Sequence, residues 1–450
     1  MYAELELPPT YANAPLDPKR ASQRIAIVGS GISGLAAAWL LAKRHRVTLF
    51  EAEGRLGGHT HTVDVPLGGR THPVDTGFLV FNNQTYPQLT ALFEHLGVAS
   101  TASEMSFSVS LRSPELEWAG SSLATVFGQR RNLLRPQFWR MLTDIVRFNR
   151  ESLAWLARHG DESQTLREFL DRGHYSAAFA DWYLLPMAAA IWSCPAAQML
   201  DYPLATFVRF CNNHGLLQIL DRPQWRSVTG GGREYVKRLA QGIRDIRLAT
   251  PVRQVLRTRR DMLVVHDQGV EEFDQVVLAC HSDQALAILG RDARPAEAQA
   301  LRAIRYQMNH AVLHTDPKLL PRNRALWSAW NYLAQGGTSA TQPVSVSYLI
   351  NRLQPLPFEQ PVVVTLNPLE RPAADKTLAS FDYAHPVFDR AAIAAQREIA
   401  ALSGIDRVWF AGAWNGYGFH EDGLKSGMAV ADALGCSAPW QRARRMEYAA

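Results

Sequence analysis

The sequence predicts an α/β protein built on a parallel sheet, with a second, α+β domain interleaved in it. Three observations indicate this fold class. Residues 24–29, RIAIVG, are β-branched and apolar, as in a buried parallel strand, and the helix-forming run LAAAWLLAKR follows at 35–44. A second short strand candidate, RVTLFE, occupies 46–51. Alternating runs at 107–111 and 344–348, with a further strand candidate at 361–366, surround a mainly helical stretch at 121–227.

The glycine-rich turn after the first strand has the spacing of a dinucleotide-binding motif. Gly29 permits a tight turn, Gly31 lets the backbone approach a diphosphate, and Gly34 lets helix and strand pack closely. Glu51 closes the second strand, 20 residues after Gly31, where it can hold a ribose hydroxyl. Strand, turn, helix, strand and acid therefore agree on dinucleotide binding at a helix N-terminus. The contacts predicted here are Gly29, Ser30, Gly31, Ser33, Gly34 and Glu51.

Composition narrows the class of protein without naming a partner. The 450 residues are 47% hydrophobic and 20% charged, with a net charge of +5, which is ordinary for a globular chain. The four cysteines show no ligand spacing, which indicates reduced thiols in a cytoplasmic protein. No run of 18 apolar residues occurs, so no spanning helix is expected. We expect residues 1–19 to be an extended leader and 437–450 a basic tail.

The stretch after Glu51 indicates which dinucleotide is bound. EAEGRLGGHT at 51–60 resembles the extended flavin motif of the FAD-dependent amine oxidase superfamily, which includes protoporphyrinogen oxidases and carotenoid desaturases. Arg55, Gly57 and Gly58 match that motif, and His59 stands in its usual arginine position. A metal site at His59 and His61 is the alternative, which the lack of a third ligand cluster disfavours, so no metal is predicted. The resemblance implies non-covalent FAD and a flavoprotein fold of the GR2 type.

Further segments that resemble the same superfamily follow in order along the chain. They are VDTG at 74–77, TGGG at 229–232, the strand candidate IRLATPV at 246–252 and the buried strand FDQVVLA at 273–279. The implied FAD-binding domain is discontinuous, over 20–98, 228–295 and 404–436, and the substrate domain takes 99–227 and 296–403. The resemblance further implies cofactor contacts from Ala52, Arg55, Gly57, Gly58, His59, Thr60, Gly77, Phe78, Val252, Gly412, Asp422, Gly423 and Leu424.

The C-terminal block, VWFAGAWNGYGFHEDGLKSGMAVADAL at 408–434, is the most specific part of the resemblance. It implies a helix that opens at Gly423 and points its bare N-terminus at the flavin. His420 stands where amine oxidases of the superfamily place an aromatic residue, and an imidazole there can exchange a proton near neutral pH. Tyr417 and Glu421 are further catalytic candidates, and Asp422 is expected to cap the helix or bind the cofactor.

Three functions stay open. The C-terminal block and IWSCP at 191–195 resemble bacterial flavoproteins associated with cyclopropane-fatty-acid-synthase-like enzymes, which implies a desaturase of methyl-branched unsaturated acyl chains on the route to furan fatty acids. Aromatic and apolar residues at 182–192 then suit an acyl tunnel or an ordinary core. Oxidation of an amine, carotenoid or porphyrinogen is the second hypothesis. A non-redox role for the flavin is the third.

Residues 130–160 predict an amphipathic helix with an unusual number of arginines. Its apolar face packs on the core, or part of it lies on an anionic membrane with Trp139 or Trp155 at the interface. The second hypothesis suits an enzyme that draws a lipid sideways from a bilayer, because burying an acyl chain in protein and in lipid releases similar free energy. We therefore expect a cytoplasmic protein that binds a hydrophobic small molecule and associates peripherally with the inner face of a membrane, without nucleic acid.

Overall fold

The computed structural model describes residues 22–158, 164–218, 222–336 and 344–441. The predicted leader and most of the predicted tail lie outside these residues. The strands are β1 Arg24–Val28, β2 Arg46–Phe50, β3 Thr62–Leu67, β4 Arg70–Asp75, β5 Phe81–Asn82, β6 Ser100–Ser103, β7 Phe107–Leu111, β8 Leu116–Ala119, β9 Trp225–Val228, β10 Asp245–Arg247, β11 Val252–Arg257, β12 Met262–His266, β13 Gly269–Phe273, β14 Gln275–Leu278, β15 Arg305–His314, β16 Trp330–Ala334, β17 Ser345–Leu349, β18 Val363–Leu366, β19 Thr377–Val387 and β20 Val408–Phe410.

The helices are interspersed with the strands along the chain. They are α1 Ile32–Leu41, α2 Pro87–Leu96, α3 Leu123–Val126, α4 Pro136–Arg158, α5 Leu166–Arg172, α6 Ala177–Phe179, α7 Leu185–Trp192, α8 Leu204–Asn213, α9 Arg233–Ala240, α10 Ser282–Leu289, α11 Pro295–Ala303, α12 Ile350–Leu353, α13 Arg390–Leu402 and α14 His420–Ala433. A π-helical turn, Ala180–Leu184, joins α6 to α7.

The predicted parallel sheet is confirmed. Its order is β10-β2-β1-β14-β20, and every neighbouring pair is parallel. Strands β1 and β2 have four buried residues each, and β14 is buried throughout, because helices cover both faces of such a sheet. Because these strands are parallel, the carboxyl ends of β1, β14 and β20 meet at one edge of the sheet, although the strands come from widely separated parts of the chain.

Helices α1 and α14 pack against each other more closely than most helices do. A Cβ on Gly427 would lie 2.2 Å from the Ser33 carbonyl oxygen, and one on Gly423 would lie 2.7 Å from Ile32 Cγ2. The glycines therefore let the last long helix touch the first, directly behind the glycine-rich turn. This contact closes the chain's C-terminal block onto its N-terminal motif.

A seven-stranded sheet, ordered β19-β15-β18-β17-β16-β7-β8, forms the second body of the fold. Strands β7, β17 and β18 confirm the strand candidates at 107–111, 344–348 and 361–366, with small shifts of their ends. A helical layer, α4 to α8, packs beside this sheet around a core rich in phenylalanine, tyrosine and tryptophan. The exact domain bounds remain a prediction.

Two expectations about local structure are wrong. Residues 246–252 are not one strand: β10 ends at Arg247, the chain turns with Ala249 at φ +47°, and Val252 begins β11 in a different sheet. Helix α14 begins at His420 rather than at Gly423, because Phe419 and Asp422 form its N-terminal cap. In the described part of the chain, no helix has both the length and the hydrophobicity needed to cross a membrane.

Candidate active site

The glycine-rich turn has the geometry that a diphosphate requires. Gly29 adopts φ +103°, and a Cβ there would lie 2.7 Å from the Ala279 carbonyl oxygen. A Cβ on Gly31 would meet nothing within 4 Å, so the turn faces open space at the start of α1. Gly31 is also the N-cap of that helix, which has no side-chain cap. A helix N-terminus with free space in front of it is a site for an anion.

Glu51 and Ser30 hold the turn in place. The Glu51 carboxylate accepts hydrogen bonds from the Ser30 backbone N–H at 2.9 Å, from the Ser30 hydroxyl, and from the Glu53 N–H at 2.9 Å. The predicted ribose acid therefore lies beside the turn, at the carboxyl end of β2. The neighbouring Ala52 is exposed, and Val252 is buried where β11 begins.

The GRLGGHT loop packs against this turn. The Gly57 N–H donates to the Ser30 carbonyl oxygen at 3.0 Å, and a Cβ on Gly58 would lie 3.2 Å from Gly31 Cα. Arg55 donates to the Gly58 carbonyl oxygen at 2.8 Å and pairs with Glu53 at 3.1 Å. The guanidinium group of Arg55 thus holds the loop in shape, and the same guanidinium would contact a bound anion.

Three imidazoles form a cluster around the GRLGGHT loop. The ring of His59 lies 5.9 Å from that of His281 and 5.3 Å from that of His385. Burial, followed by the neighbouring imidazole of His281, lowers the pKa of His59 from 6.5 to about 4. Burial and adjacent histidines likewise lower the pKa of His281 to about 4 and that of His385 to about 3. The cluster is therefore neutral at pH 7.

His59 Nε2 is buried and has no hydrogen-bond partner among the described residues. An unsatisfied buried polar atom costs free energy, so a ligand that supplies the missing partner is favoured there. A metal ion is the alternative ligand for this side chain. Within the described ranges, no group of three or more His, Cys, Asp or Glu side chains is arranged to hold a metal ion.

His420 lies on the other side of the loop, in a network of hydroxyl groups. Its Nε2 is 2.8 Å from Thr60 Oγ1 and 3.0 Å from the Tyr235 hydroxyl, which also contacts Thr60. The imidazole stacks on Phe78, with ring centroids 3.8 Å apart. Burial, then the nearby His59, lowers the pKa of His420 to about 3. At neutral pH it is an uncharged hydrogen-bonding group and a weak proton acceptor.

The structure argues against Glu421 as a catalytic group. Its side chain is 3% exposed, and its carboxylate accepts the backbone N–H groups of Gln88 and Leu89 at 3.0 and 2.9 Å. Both belong to the first turn of α2, where N–H groups have no partner within the helix. Glu421 therefore joins α14 to α2 through both of its carboxylate oxygens.

Asp422 has the capping role expected of it. Its Oδ2 accepts the N–H groups of Tyr417 and Phe419, each at 3.0 Å, and burial raises its pKa to about 6. Asp422 thus bonds the N–H of the N-cap residue Phe419, and among the described residues no side chain caps the N–H groups of the first turn of α14. Gly423 and the fully buried Leu424 follow in the first turns of the helix.

The remaining predicted residues surround the same region. A Cβ on Gly77 would lie 2.0 Å from the His59 carbonyl oxygen, which also accepts the Phe78 N–H at 2.9 Å. Gly412 follows β20, and its N–H donates to Ser426 Oγ at 2.8 Å. Tyr417 is half-buried, 5.8 Å from the ring of Phe210. The structure thus brings the predicted residues to one edge of the parallel sheet.

Asp75 lies in the VDTG segment, and the resemblance of that segment does not indicate Asp75 as a contact. Its buried carboxylate accepts the Gly232 N–H at 2.9 Å, the Thr62 hydroxyl at 2.6 Å and the Gln354 side-chain amide at 2.7 Å. Burial raises the pKa of Asp75 to about 6 against these hydrogen bonds, which lower it. It links the TGGG turn, strand β3 and Gln354, the residue that follows α12.

The residues present fit an FAD diphosphate. The N-terminus of α1 is uncapped, the space before Gly31 is open, and the unsatisfied Nε2 belongs to His59, the residue after the Gly58 that packs on Gly31. The Gly31 backbone, Arg55 and His59 would hold the diphosphate, and Glu51 would hold the ribose. Thr60 follows His59 in the same loop, and His420 contacts both Thr60 and Phe78.

Comparison with known proteins identifies the fold and the family of this chain. A short match, 55% identical over 42 residues, relates the chain to protoporphyrinogen oxidase 2, chloroplastic/mitochondrial, of Arabidopsis thaliana, and covers 9% of this chain and 8% of that protein. A cofactor-binding redesign of putrescine oxidase has a TM-score of 0.65 and 17% identity, covering 92% of this chain and 99% of that one. A CLA-producing fatty acid isomerase from P. acnes has a TM-score of 0.65 and 14% identity, covering 94% and 99%.

At these identities the solved structures show a shared fold only. The family is identified by a family model that matches most of the chain. The family model described as flavin containing amine oxidoreductase matches residues 32–435. This range includes α1, the loop around His59 and the whole of α14. The chain therefore belongs to the family of flavin-containing amine oxidoreductases and is an FAD-dependent oxidoreductase.

Proposed function

We propose that this enzyme dehydrogenates a lipid acyl chain, as a desaturase of methyl-branched unsaturated fatty acyl groups of phospholipids. One structural observation carries the proposal. The segment that leads into His420 is flanked by aromatic rings: the ring of Phe419 stacks on that of Phe210 at 5.0 Å, and the ring of Phe210 lies tilted at 4.6 Å from that of Trp192. This aromatic wall comes from α7, α8 and the start of α14, beside the expected position of the flavin ring.

The charges near the wall also suit an uncharged substrate. Glu421 and Asp422, the carboxylates closest to it in sequence, are both engaged by backbone N–H groups. An ammonium substrate would gain little from carboxylates already occupied in this way. The fatty acid isomerase that shares the fold acts on an acyl chain, which supports the same substrate class.

Bound FAD would supply the hydride acceptor, and the protein would orient the substrate and exclude water from the site. We propose that Thr60, Tyr235 and His420 form a neutral hydrogen-bonded wall that orients the substrate beside the flavin. His420 would act through its neutral imidazole, because its low pKa makes protonation unfavourable at pH 7. The enzyme would take its substrate from an anionic membrane surface, which fits a phospholipid-bound chain.

Two other functions keep specific support. The family's description and the likeness to putrescine oxidase favour amine oxidation, in which aromatic rings around Tyr417 would enclose the ammonium group. The likeness to an isomerase favours a reaction without net oxidation. All three functions use the same flavin, so the substrate and the redox outcome separate them.

Anaerobic mixing of the FAD-loaded enzyme with candidate substrates tests the proposal. Phospholipids with methyl-branched unsaturated chains, dispersed in detergent, should bleach the oxidised flavin and gain one double bond by mass spectrometry. Phospholipids with straight saturated chains are the matched control. Bleaching by putrescine or cyclohexylamine but not by lipid would establish the amine function. Conversion of the lipid without bleaching would establish the isomerase function.

A further inference from the structure

We propose that a surface around the start of α4 docks onto an anionic lipid bilayer. This docking patch consists of Leu123, Leu133, Leu134, Trp139 and Val146, with the arginines among them. The proposal deepens the proposed function, since it rests on a membrane lipid as substrate, and it names the side chains that make the contact.

The docking patch is a concentration of exposed apolar side chains. Leu123 is 80% exposed and Leu134 is 87% exposed, which is far above the usual value for leucine. Trp139 is 48% exposed, and its indole N–H donates to the Leu133 carbonyl oxygen at 2.9 Å. Five of the nine large apolar side chains found exposed in the described residues lie between 123 and 146. A concentration of exposed apolar side chains in one segment marks an interaction site.

The core does not need this surface. Helix α4 buries Phe138, Met141 and Phe148 completely, so its apolar face is already satisfied. Trp139 and Val146 lie seven residues apart, which places them on one side of the helix, away from those residues. Trp155, the other interfacial candidate, packs partly buried against the aromatic core. Trp139 therefore belongs to the patch and Trp155 does not.

Charge complementarity identifies the partner as anionic. Residues 121–150 contain six arginines and a single acid, Asp144, giving +5, equal to the net charge of the whole chain. Asp144 is buried and pairs with Arg140 at 3.3 Å and with Arg147 at 3.1 Å, so the charge that it offsets belongs to those two arginines rather than to Arg130, Arg131 and Arg135. Glu115 at the rim pairs with Arg131 at 3.0 Å and with Arg322 at 3.4 Å. Arg130, Arg131 and Arg135 flank Leu133 and Leu134 along the chain, and Arg140 and Arg150 lie exposed farther along α4.

A bilayer matches this combination better than a protein or nucleic acid partner. Exposed leucine and tryptophan insert at the boundary between headgroups and acyl chains, and arginines contact the lipid phosphates around them. A short helix, a turn and the start of α4 supply these residues, so the patch lies along the membrane surface. No membrane-crossing element is required.

Vesicle co-sedimentation of the FAD-loaded protein tests the inference without turnover. We expect binding to vesicles of phosphatidylglycerol and phosphatidylcholine, at least tenfold weaker binding to phosphatidylcholine alone, and a loss of binding as salt is raised. Leu133→Ser with Leu134→Ser should weaken binding at least tenfold, and Arg130→Gln with Arg131→Gln should flatten the salt dependence. Val270→Ser is the matched control, because Val270 is 59% exposed on β13, far along the chain from the patch.

The outcomes are separable. Wild-type protein that stays in the supernatant with anionic vesicles, or an equal loss of binding in the Val270 variant, would overturn the inference. A leucine variant that converts a dimer into a monomer in gel filtration, with vesicle binding unchanged, would assign the patch to a second copy of this chain. Flavin content and the thermal midpoint report whether each variant is folded. Bleaching by detergent-dispersed lipid is independent of docking, so failure of the proposed function gives a different result.

Discussion

Replacing His59 tests how this protein holds its flavin without the family's usual arginine. The imidazole is neutral at pH 7, since burial lowers its pKa to about 4, and its Nε2 has no partner among the described residues. His59→Ala would therefore remove one hydrogen bond between the neutral imidazole and the cofactor. Such a bond contributes about 1 kcal/mol, so the FAD dissociation constant should rise about fivefold.

The assay is a fluorescence titration of apoprotein with FAD at pH 6 and pH 8. Because the pKa of His59 lies near 4, below both values, we expect the same ratio of dissociation constants at each pH. His61→Ala is the matched control. It lies two residues away, and its Nδ1 faces the Tyr383 hydroxyl at 3.1 Å, so FAD binding should change by less than about twofold.

Two results would refute the reasoning. Unchanged FAD affinity in the His59 variant would show that its Nε2 does not face the cofactor. A ratio about tenfold larger at pH 6 than at pH 8 would show a protonated imidazole, which makes the stronger, charge-assisted hydrogen bond. Metal analysis of the wild-type protein should find no stoichiometric zinc, and finding it would restore the metal hypothesis for this loop.

Three further predictions concern stability. Glu421→Ala should lower the free energy of unfolding by about 1–2 kcal/mol in denaturant titrations, with kcat within about twofold of wild type, because the α2 N–H groups lose their acceptor; a loss of turnover without a loss of stability would restore a catalytic role. Asp75→Asn should destabilise the fold by about 2 kcal/mol and weaken FAD retention, since an amide nitrogen would face the Gly232 N–H; wild-type midpoints would contradict this. The buried histidines should make the apoprotein less stable as pH falls from 6.5 to about 4, because their imidazoles bind protons in the unfolded chain but stay neutral in the folded one. Asp75 and Asp422, whose pKa values are raised to about 6, oppose this trend. Thermal midpoints that do not change between pH 6.5 and 4 would contradict the prediction.

The parallel sheet was predictable because its information is local. Strands β1 and β2 are short runs of apolar and β-branched residues, and Gly29, Gly31 and Gly34 have the spacing that the turn requires. Each of these patterns lies within about 30 residues, as in a single βαβ unit. The fold class and the diphosphate end of the site follow from them.

The histidine cluster was not predictable, because its members come from three distant elements. His59 lies in the loop after β2, His281 follows β14, and His385 lies on the long strand β19 of the other sheet. Only the packing of β19 against the cofactor edge brings His385 within 5.3 Å of His59. His281 had one local indication, since residues just after a buried parallel strand commonly line a site.

The C-terminal block shows why a motif can identify a family and still mislead about individual side chains. Its glycines suggested a bare helix end aimed at the flavin. In the structure, Gly423 and Gly427 are required by the contact with α1, where any Cβ would collide with Ile32 or Ser33. Glu421 and Asp422, which look like an acidic pair poised for chemistry, are instead bonded to backbone N–H groups. Much of this motif therefore fixes α14 against α1 and α2, and of its three proposed catalytic side chains only His420 contacts the Thr60 hydroxyl beside the cofactor loop.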